Sequence, residues 1–109
     1  MELQSKSVKR SYIMTKATAP SIYNVTDDEG KELAQGASTS KKAVSVFGKT
    51  GVGQAGDLKN GEVLLAGFKG GSDGHWSVNL NLKVGTYKFK ATSGDGTSFE
   101  RILFVTDAS

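Results

Sequence analysis

The stretch HWSVNLNL at residues 75–82 decides the fold of this chain. Large apolar residues occupy every second position (Trp76, Val78, Leu80 and Leu82), and polar residues stand between them. Because successive side chains of an extended chain point to opposite faces, one face of this segment is apolar and the other is solvated. The pattern therefore predicts a strand of an antiparallel sheet that covers a core on one side, with Trp76 as its largest anchor.

The rest of the chain reads as further short strands separated by turns. We expect strands at residues 21–26, 43–47, 62–68, 86–92 and 98–106. The run at 62–68 is apolar on both faces, which predicts a central strand. Residues 48–61 read as a long glycine-rich connection, in which Val52 or Leu58 plugs the end of the core. The acidic sequence from Asp27 to Gly30 is a turn signature.

About seven short strands, with no helical period, predict an all-β fold: a two-sheet antiparallel β-sandwich. Its structural core is expected to consist of the inward-facing residues of the strands. These residues are Val44, Val46, Leu65, Trp76, Val78, Leu80, Tyr87, Phe89, Leu103 and Val105.

Length and composition point to one small globular domain. The chain has 109 residues with 14 glycines and one proline, a composition typical of a turn-rich β protein. It has no cysteine, which excludes disulfides, cysteine nucleophiles and thiolate metal sites. No stretch approaches the roughly 20 apolar residues of a membrane span, so no membrane insertion is expected. The first residues also lack the apolar core of a signal peptide. We therefore expect a chain used without secretion, or a piece of a larger exported protein.

The positive charge of the chain is concentrated in an N-terminal arm, residues 1–19. The arm carries four basic residues and one acidic residue, whereas residues 20–109, the sandwich domain, carry ten of each sign. Electrostatic steering toward an acidic partner therefore acts in the arm. The segment 8–14 alternates imperfectly and is able to add as a strand to a sheet edge. The expected partner-docking residues are Lys6, Lys9, Arg10, Tyr12 and Lys16.

One sequence motif imitates a nucleotide site. Residues 51–56 match G-x-G-x-x-G, in which glycines let a helix N-terminus approach a pyrophosphate. Here turn residues follow the motif where a helix would be required, so it predicts a flexible loop between strands. The sequence Gly48-Lys49-Thr50 resembles the end of a phosphate loop, but Ala43 stands where the first glycine is needed.

The remaining polar residues have ordinary interpretations. His75 is the only histidine and is expected to face solvent on its strand, since a triad or a histidine metal site needs more partners. A calcium site is an alternative interpretation of the acidic turn with Asp107, although turn carboxylates need no metal. Lys88, Lys90 and Arg101 predict a solvated polar sheet face and not a nucleic-acid platform, because the aromatics alternate to the other face. We expect no catalytic residues, no cofactor, no metal and no nucleic-acid partner.

The order of residues resembles that of bacterial immunoglobulin-like repeats of the Big type. The likeness rests on Ala19–Asp27, on the second-strand sequence Val44–Thr50, on the D-G-x-W hairpin at Asp73–Val78 and on Gly85–Ala91 with Phe104–Thr106. The resemblance implies an immunoglobulin-like sandwich. It also implies a spacer or binding module, of the kind found in bacterial surface adhesins and on bacteriophage particles.

These observations predict a non-enzymatic structural or binding module. We expect an accessory protein on a bacteriophage capsid or tail surface, located on the virion, docked by its arm onto a capsid, tail or neighbouring subunit and oligomeric only through assembly. The alternative is a repeat of a bacterial surface adhesin, outside the cell, that spaces or binds a host protein or cell-surface glycan. The loops expected to display binding groups carry Gln54, Asp57, Asp73 and Asp95.

Overall fold

The computed structural model describes residues 19–94 and 96–107, and the regular structure of this part of the chain is entirely β. Its strands, in chain order, are β1 (Ser21–Asp27), β2 (Ala37–Thr39), β3 (Ala43–Lys49), β4 (Ala55–Asn60), β5 (Val63–Lys69), β6 (His75–Asn81), β7 (Gly85–Ser93), β8 (Gly96–Thr97) and β9 (Arg101–Val105). Within the described ranges there is no helix with the length and apolar character that a membrane crossing requires.

The strands form two sheets that pack face to face. The small sheet has the order β1-β3-β6, and all of its pairs are antiparallel. The large sheet has the order β2-β9-β7-β4-β5, with β8 paired to β7. Its pairs are antiparallel except that β2 runs parallel to β9. The predicted all-β, two-sheet sandwich is therefore confirmed, and the strand order matches that of immunoglobulin-like sandwiches. The structure also contains three strands outside the predicted segments, the very short β2 and β8 and the six-residue β4.

The core lies between the inner faces of the two sheets. Most of the predicted core side chains are buried, and Leu65, Leu80 and Tyr87 are partly buried against the same cluster. Along β6 the residues alternate between inside and outside, as the period of two requires. The bulk of the core is therefore supplied by the inward positions of β3, β6, β7 and β9.

A stacked aromatic pair joins the two sheets. Phe68 of β5 and Trp76 of β6 have ring centroids 4.1 Å apart and ring planes 11° from parallel. Each residue lies opposite a glycine on the neighbouring strand of its own sheet, Phe68 opposite Gly56 and Trp76 opposite Gly48. A Cβ atom at Gly48 would overlap the Trp76 ring, and one at Gly56 would lie 2.5 Å from Cζ of Phe68. The two glycines therefore provide the space in which the rings stack.

The expected connection at residues 48–61 is wrong in its second half, which forms strand β4. Leu58 in β4 is fully buried, whereas Val52 is exposed. The sequence pattern does not predict this strand, because Leu58 is its only large apolar residue and glycine, here Gly56, has a low β propensity. Burial of Leu58 between β5 and β7 therefore outweighs local propensity.

The expectation that residues 62–68 form a central strand is also wrong, because β5 is the last strand of the large sheet. The register of its pairing with β4 shifts between Leu58 and Lys59, which places a β-bulge at this point. Val63 and Leu64 are exposed at the start of β5. The apolar residues on both faces therefore reflect an edge with exposed side chains, and not burial on both sides.

Candidate functional site: an aromatic depression on the small sheet

A shallow depression of about 360 Å³ lies on the outer face of the small sheet. Three strands contribute its main side chains, Tyr23 from β1, Phe47 from β3, and His75 with Ser77 from β6. Lys69, at the end of β5, borders it. The depression therefore combines aromatic rings with a hydroxyl group and an ammonium group.

Local irregularity in β1 positions Tyr23. The pairing of β1 with β3 shifts in register between Ile22 and Asn24, so Tyr23 occupies a bulge. A bulge redirects a side chain, and here the Tyr23 residue is 51% exposed. Phe47 reaches the same face because it is out of phase with the buried Val46.

A chain of contacts fixes the rings of the depression. The Tyr23 and His75 rings meet edge to face, with centroids 5.8 Å apart. His75 Nδ1 lies 2.9 Å from a carboxylate oxygen of Asp73, and the backbone N–H of His75 donates to the other oxygen at 3.0 Å. This backbone hydrogen bond, followed by the contact with the imidazole, holds the pKa of Asp73 below its ordinary value. The depression is thus organised before any ligand arrives.

The side chains of the depression offer several kinds of contact to another molecule. Exposed aromatic rings offer apolar faces and edges to a partner, and the neighbouring Lys69 and Ser77 offer hydrogen bonds. Such a surface suits the flat face of a sugar ring or an aromatic or proline side chain. Asp73 contacts the His75 imidazole, and the hydroxyl-bearing residues of the depression are Tyr23 and Ser77.

The residues predicted for binding are scattered. Lys6, Lys9, Arg10, Tyr12 and Lys16 of the arm, and Asp95, lie outside the described residues. Asp57 was expected on a loop, but it lies on strand β4, where it is exposed on the large sheet. Asp73 lies in the exposed turn before β6, as expected, and contributes to the aromatic depression through His75.

Gln54 is a structural residue of its loop. Its side-chain oxygen accepts hydrogen bonds from the Thr50 hydroxyl at 3.1 Å and from the Gly51 N–H at 2.9 Å. Its amide group donates to the Ser93 hydroxyl at 3.2 Å. Both ends of the Gln54 side chain are therefore engaged within the sandwich, and its expected display role stays a prediction.

The glycine-rich motif has a structural explanation. Backbone hydrogen bonds join the loop at residues 50–54 to the turn at residues 70–74. The Gly53 N–H donates to the Gly70 carbonyl, and the Gly70 N–H donates to the Gln54 carbonyl. The Thr50 N–H also donates to the Gly74 carbonyl at 2.8 Å. Strand β4 begins inside the motif at Ala55, so the residues after the motif continue a strand and do not form the predicted turn. The glycines of the motif allow two backbones to approach each other.

The acidic turn is satisfied by its own backbone. Asp27 Oδ1 accepts hydrogen bonds from the N–H groups of Glu29 at 2.8 Å and Lys31 at 3.0 Å. Lys41 lies 3.8 Å from Glu29 and 4.0 Å from Asp28. Carboxylate oxygens of the three acidic residues lie within 4.8 Å of one another, but this group does not include Asp107. The hydrogen bonds of Asp27 are those of the predicted turn, and Lys41 supplies the ion pairs of its two neighbours.

The predicted polar face is only partly correct. Lys88 and Lys90 lie on the outer side of β7, where Lys90 pairs with Glu62 at 3.3 Å. Arg101 lies opposite the buried Phe89 and therefore on the inner side of the sheet. Its guanidinium donates to the carbonyl of Leu33 at 2.8 Å. The assignment of Arg101 to the solvated face is wrong because Arg101 is the inward-facing residue at the start of β9.

Sequence reasoning missed two residues of the depression, Tyr23 and Phe47. The bulge that exposes Tyr23 has no glycine or proline to mark it, so alternation alone misplaces the side chain. The position of Phe47 was predictable from the sequence. Val44 and Val46 alternate on the inner face, so the next residue, Phe47, belongs to the outer face.

Compared with family models, curated proteins and solved structures, the chain matches none of them. The fold and the site together define the class of protein, an all-β two-sheet sandwich with an aromatic depression on one outer face.

Proposed function

We propose that this chain is a non-enzymatic structural or binding module, an accessory protein that decorates the capsid or tail surface of a bacteriophage. Its basic arm, residues 1–19, docks onto an acidic surface of the particle. The sandwich then stands on that surface and displays its outer faces. The likeness to immunoglobulin-like repeats supports the setting on a bacteriophage particle. The distribution of charge along the chain supports docking through the arm.

The observation that carries the mechanism is the segregation of charge. The net charge of +3 resides entirely in the arm, where four basic residues stand against Glu2. The remaining ninety residues are balanced, with ten basic and ten acidic side chains. An acidic surface therefore attracts one end of the molecule and leaves the sandwich without a strong preference.

The arm leaves the sandwich beside an apolar surface. Ala19, Pro20 and Ile22 line a groove of about 240 Å³ together with residues 97–99. Phe99 in this groove is 97% exposed. Large exposed apolar residues near a charged segment are typical of docking surfaces, so a partner that binds the arm has an apolar anchor beside it. Repeated copies on a particle would multiply such weak contacts.

The test measures co-sedimentation of the full chain with virions of the phage whose genome carries the reading frame. The test variant replaces with alanine the four basic residues of the arm, Lys6, Lys9, Arg10 and Lys16. The matched control carries the same change of net charge on exposed lysines of the sandwich, Lys42, Lys49, Lys83 and Lys88. We expect the arm variant to lose attachment and the control variant to retain it.

Equal attachment of the two variants would overturn the docking mechanism. A reading frame without neighbouring virion genes, continuous with a long exported protein, would replace the proposal with the alternative of an adhesin repeat. In that setting the aromatic depression would be the surface to test for a glycan or a host protein.

A further inference from the structure

Each sheet of a sandwich ends in two edge strands, and three of the four edges here are protected in the described residues. The edge of β1 has its bulge at Tyr23, and Leu33 N–H donates to Val25 O at 2.7 Å along the same strand. The edge strand β2 has only three residues. The edge strand β5 is interrupted by its bulge. Bulges, short strands and covering segments are the usual ways to prevent pairing between sheet edges.

The fourth edge, strand β6, is covered only at its first residue, where the His75 N–H donates to Asp73 and the His75 carbonyl accepts from the Gly71 N–H at 2.9 Å. It pairs with β3 over seven consecutive residues without a shift in register. It contains no proline and no aspartate, glutamate, lysine or arginine. Within the described ranges its other side has no paired strand. Residues 77–81 of strand β6 therefore form a regular edge, free of Asp, Glu, Lys and Arg, that is able to accept another strand.

We propose that β6 pairs antiparallel with β6 of a second copy of this chain, around a two-fold axis at Val78. In this register Ser77 lies opposite Asn79 of the second copy, and Trp76 lies opposite Leu80. Polar residues therefore meet on the outer face and apolar residues on the inner face. The two small sheets become one continuous sheet, in which each copy contributes the same surface.

Charge complementarity favours this occupant and this direction. The first charged residues beyond the two ends of β6 are Asp73 and Lys83, which stand at equal distances along the chain from Val78. Antiparallel pairing around Val78 brings Asp73 of each copy toward Lys83 of the other. Both side chains are exposed, so two opposite-charge contacts flank the paired strands. Parallel pairing would instead place like charges together.

A polar pair within the sheet supports the register. The Ser45 hydroxyl donates to Asn79 Oδ1 at 2.6 Å across the β3–β6 pair. In the proposed dimer the next residue beside Asn79 is Ser77 of the second copy. The serine–asparagine pairing across neighbouring strands is therefore repeated across the two-fold axis.

The expected association is weak, because one pair of seven-residue strands buries less than the roughly 1,200 Å² of a standard interface. We expect dissociation constants of about 20 to 500 µM, measured for the full chain by sedimentation velocity. Hydrogen exchange at high concentration should then slow at amides of β6 and remain unchanged at amides of β5.

Two variants test the pairing. Lys83→Glu places like charges together and should weaken association about fivefold or more, whereas Lys88→Glu on the large sheet should not. The double variant Ser77→Lys with Asn79→Lys should abolish association, whereas Leu64→Lys on the β5 edge should not. Circular dichroism verifies that each variant is folded.

A chain that is monomeric at 1 mM would overturn the proposal. Association that survives the double lysine variant, or whose protected amides map to β5 or to the arm, would also overturn it, since another segment would then form the interface.

Discussion

Gly48 and Gly56 determine how closely the aromatic pair packs against the two sheets. Trp76 and Phe68 each lie opposite one of these glycines, and the rings meet between the sheets. A position within a strand disfavours glycine, because glycine has no side chain to pack and loses more backbone entropy on folding. At these two positions the cost is offset by the close approach of a large ring.

Substitution of Gly48 by alanine should therefore lower the free energy of unfolding by about 1 to 3 kcal/mol, because the new methyl group overlaps Trp76 and the Ser21 carbonyl oxygen. Urea denaturation followed by Trp76 fluorescence provides the measurement. The matched control is Gly67→Ala on β5, where the nearest atom to a Cβ is 3.8 Å away. Equal stability of the two variants would contradict the packing argument.

Asp27 makes stability depend on pH. Its pKa is held below the ordinary value, chiefly by the N–H of Glu29, with burial opposing this and the N–H of Lys31 adding to it. A lowered pKa in the folded state stabilises the fold above the unfolded pKa of about 3.9, and this contribution disappears as the pH falls through the folded value.

The variant Asp27→Asn keeps an oxygen acceptor but removes the charge. We expect it to melt below the wild-type chain at pH 7, with a gap that is constant down to about pH 5 and closes below about pH 4. Melting temperatures between pH 2 and pH 7 test this, with Asp107→Asn, exposed after the last strand, as the control. A gap unchanged at pH 2 would show that the charge of Asp27 has no part in the effect.

At the scale of elements, the loop at residues 50–54 and the turn at residues 70–74 behave as one unit. Backbone hydrogen bonds join them, and they precede β4 and β6 respectively. A Cβ at Gly74 would lie 2.5 Å from the Thr50 carbonyl oxygen, and Gly74 has a φ of 81°. Glycine is required there for two reasons, the left-handed backbone and the contact with the other loop.

The variant Gly74→Ala should therefore destabilise the chain by about 1 to 3 kcal/mol. Gly71→Ala in the same turn is the control, since its nearest neighbour would be 3.6 Å away, and its effect should stay within about 0.5 kcal/mol. Thermal unfolding measures both. A tolerated alanine at Gly74 would mean that the two loops separate at little cost.

At the scale of the whole molecule, a charge-balanced sandwich follows a basic arm. Electrostatic attraction between exposed groups is screened over about 8 Å at physiological ionic strength and over about 3 Å at 1 M salt. Any attachment that depends on the arm should therefore weaken steeply as salt is added.

We expect half-maximal attachment to virions to require at least about tenfold more protein at 0.5 M than at 0.05 M salt. The variant that lacks the four basic arm residues should bind weakly at both salt concentrations. Attachment of the wild-type chain that is independent of salt would assign docking to the apolar groove at Phe99 instead.

The sequence by itself determined the fold class, because period-two alternation in β3, β6 and β7 divides each strand into a buried and an exposed face. Local patterns also located the acidic turn at Asp27. Only the tertiary structure decided that Leu58 belongs to a strand, that β5 is an edge and that Arg101 faces inward. Those facts depend on which strands become neighbours, and on bulges that shift the alternation without leaving a mark in the sequence. The aromatic depression around Tyr23 arises for the same reason, since one bulge and three strands from distant parts of the chain assemble it.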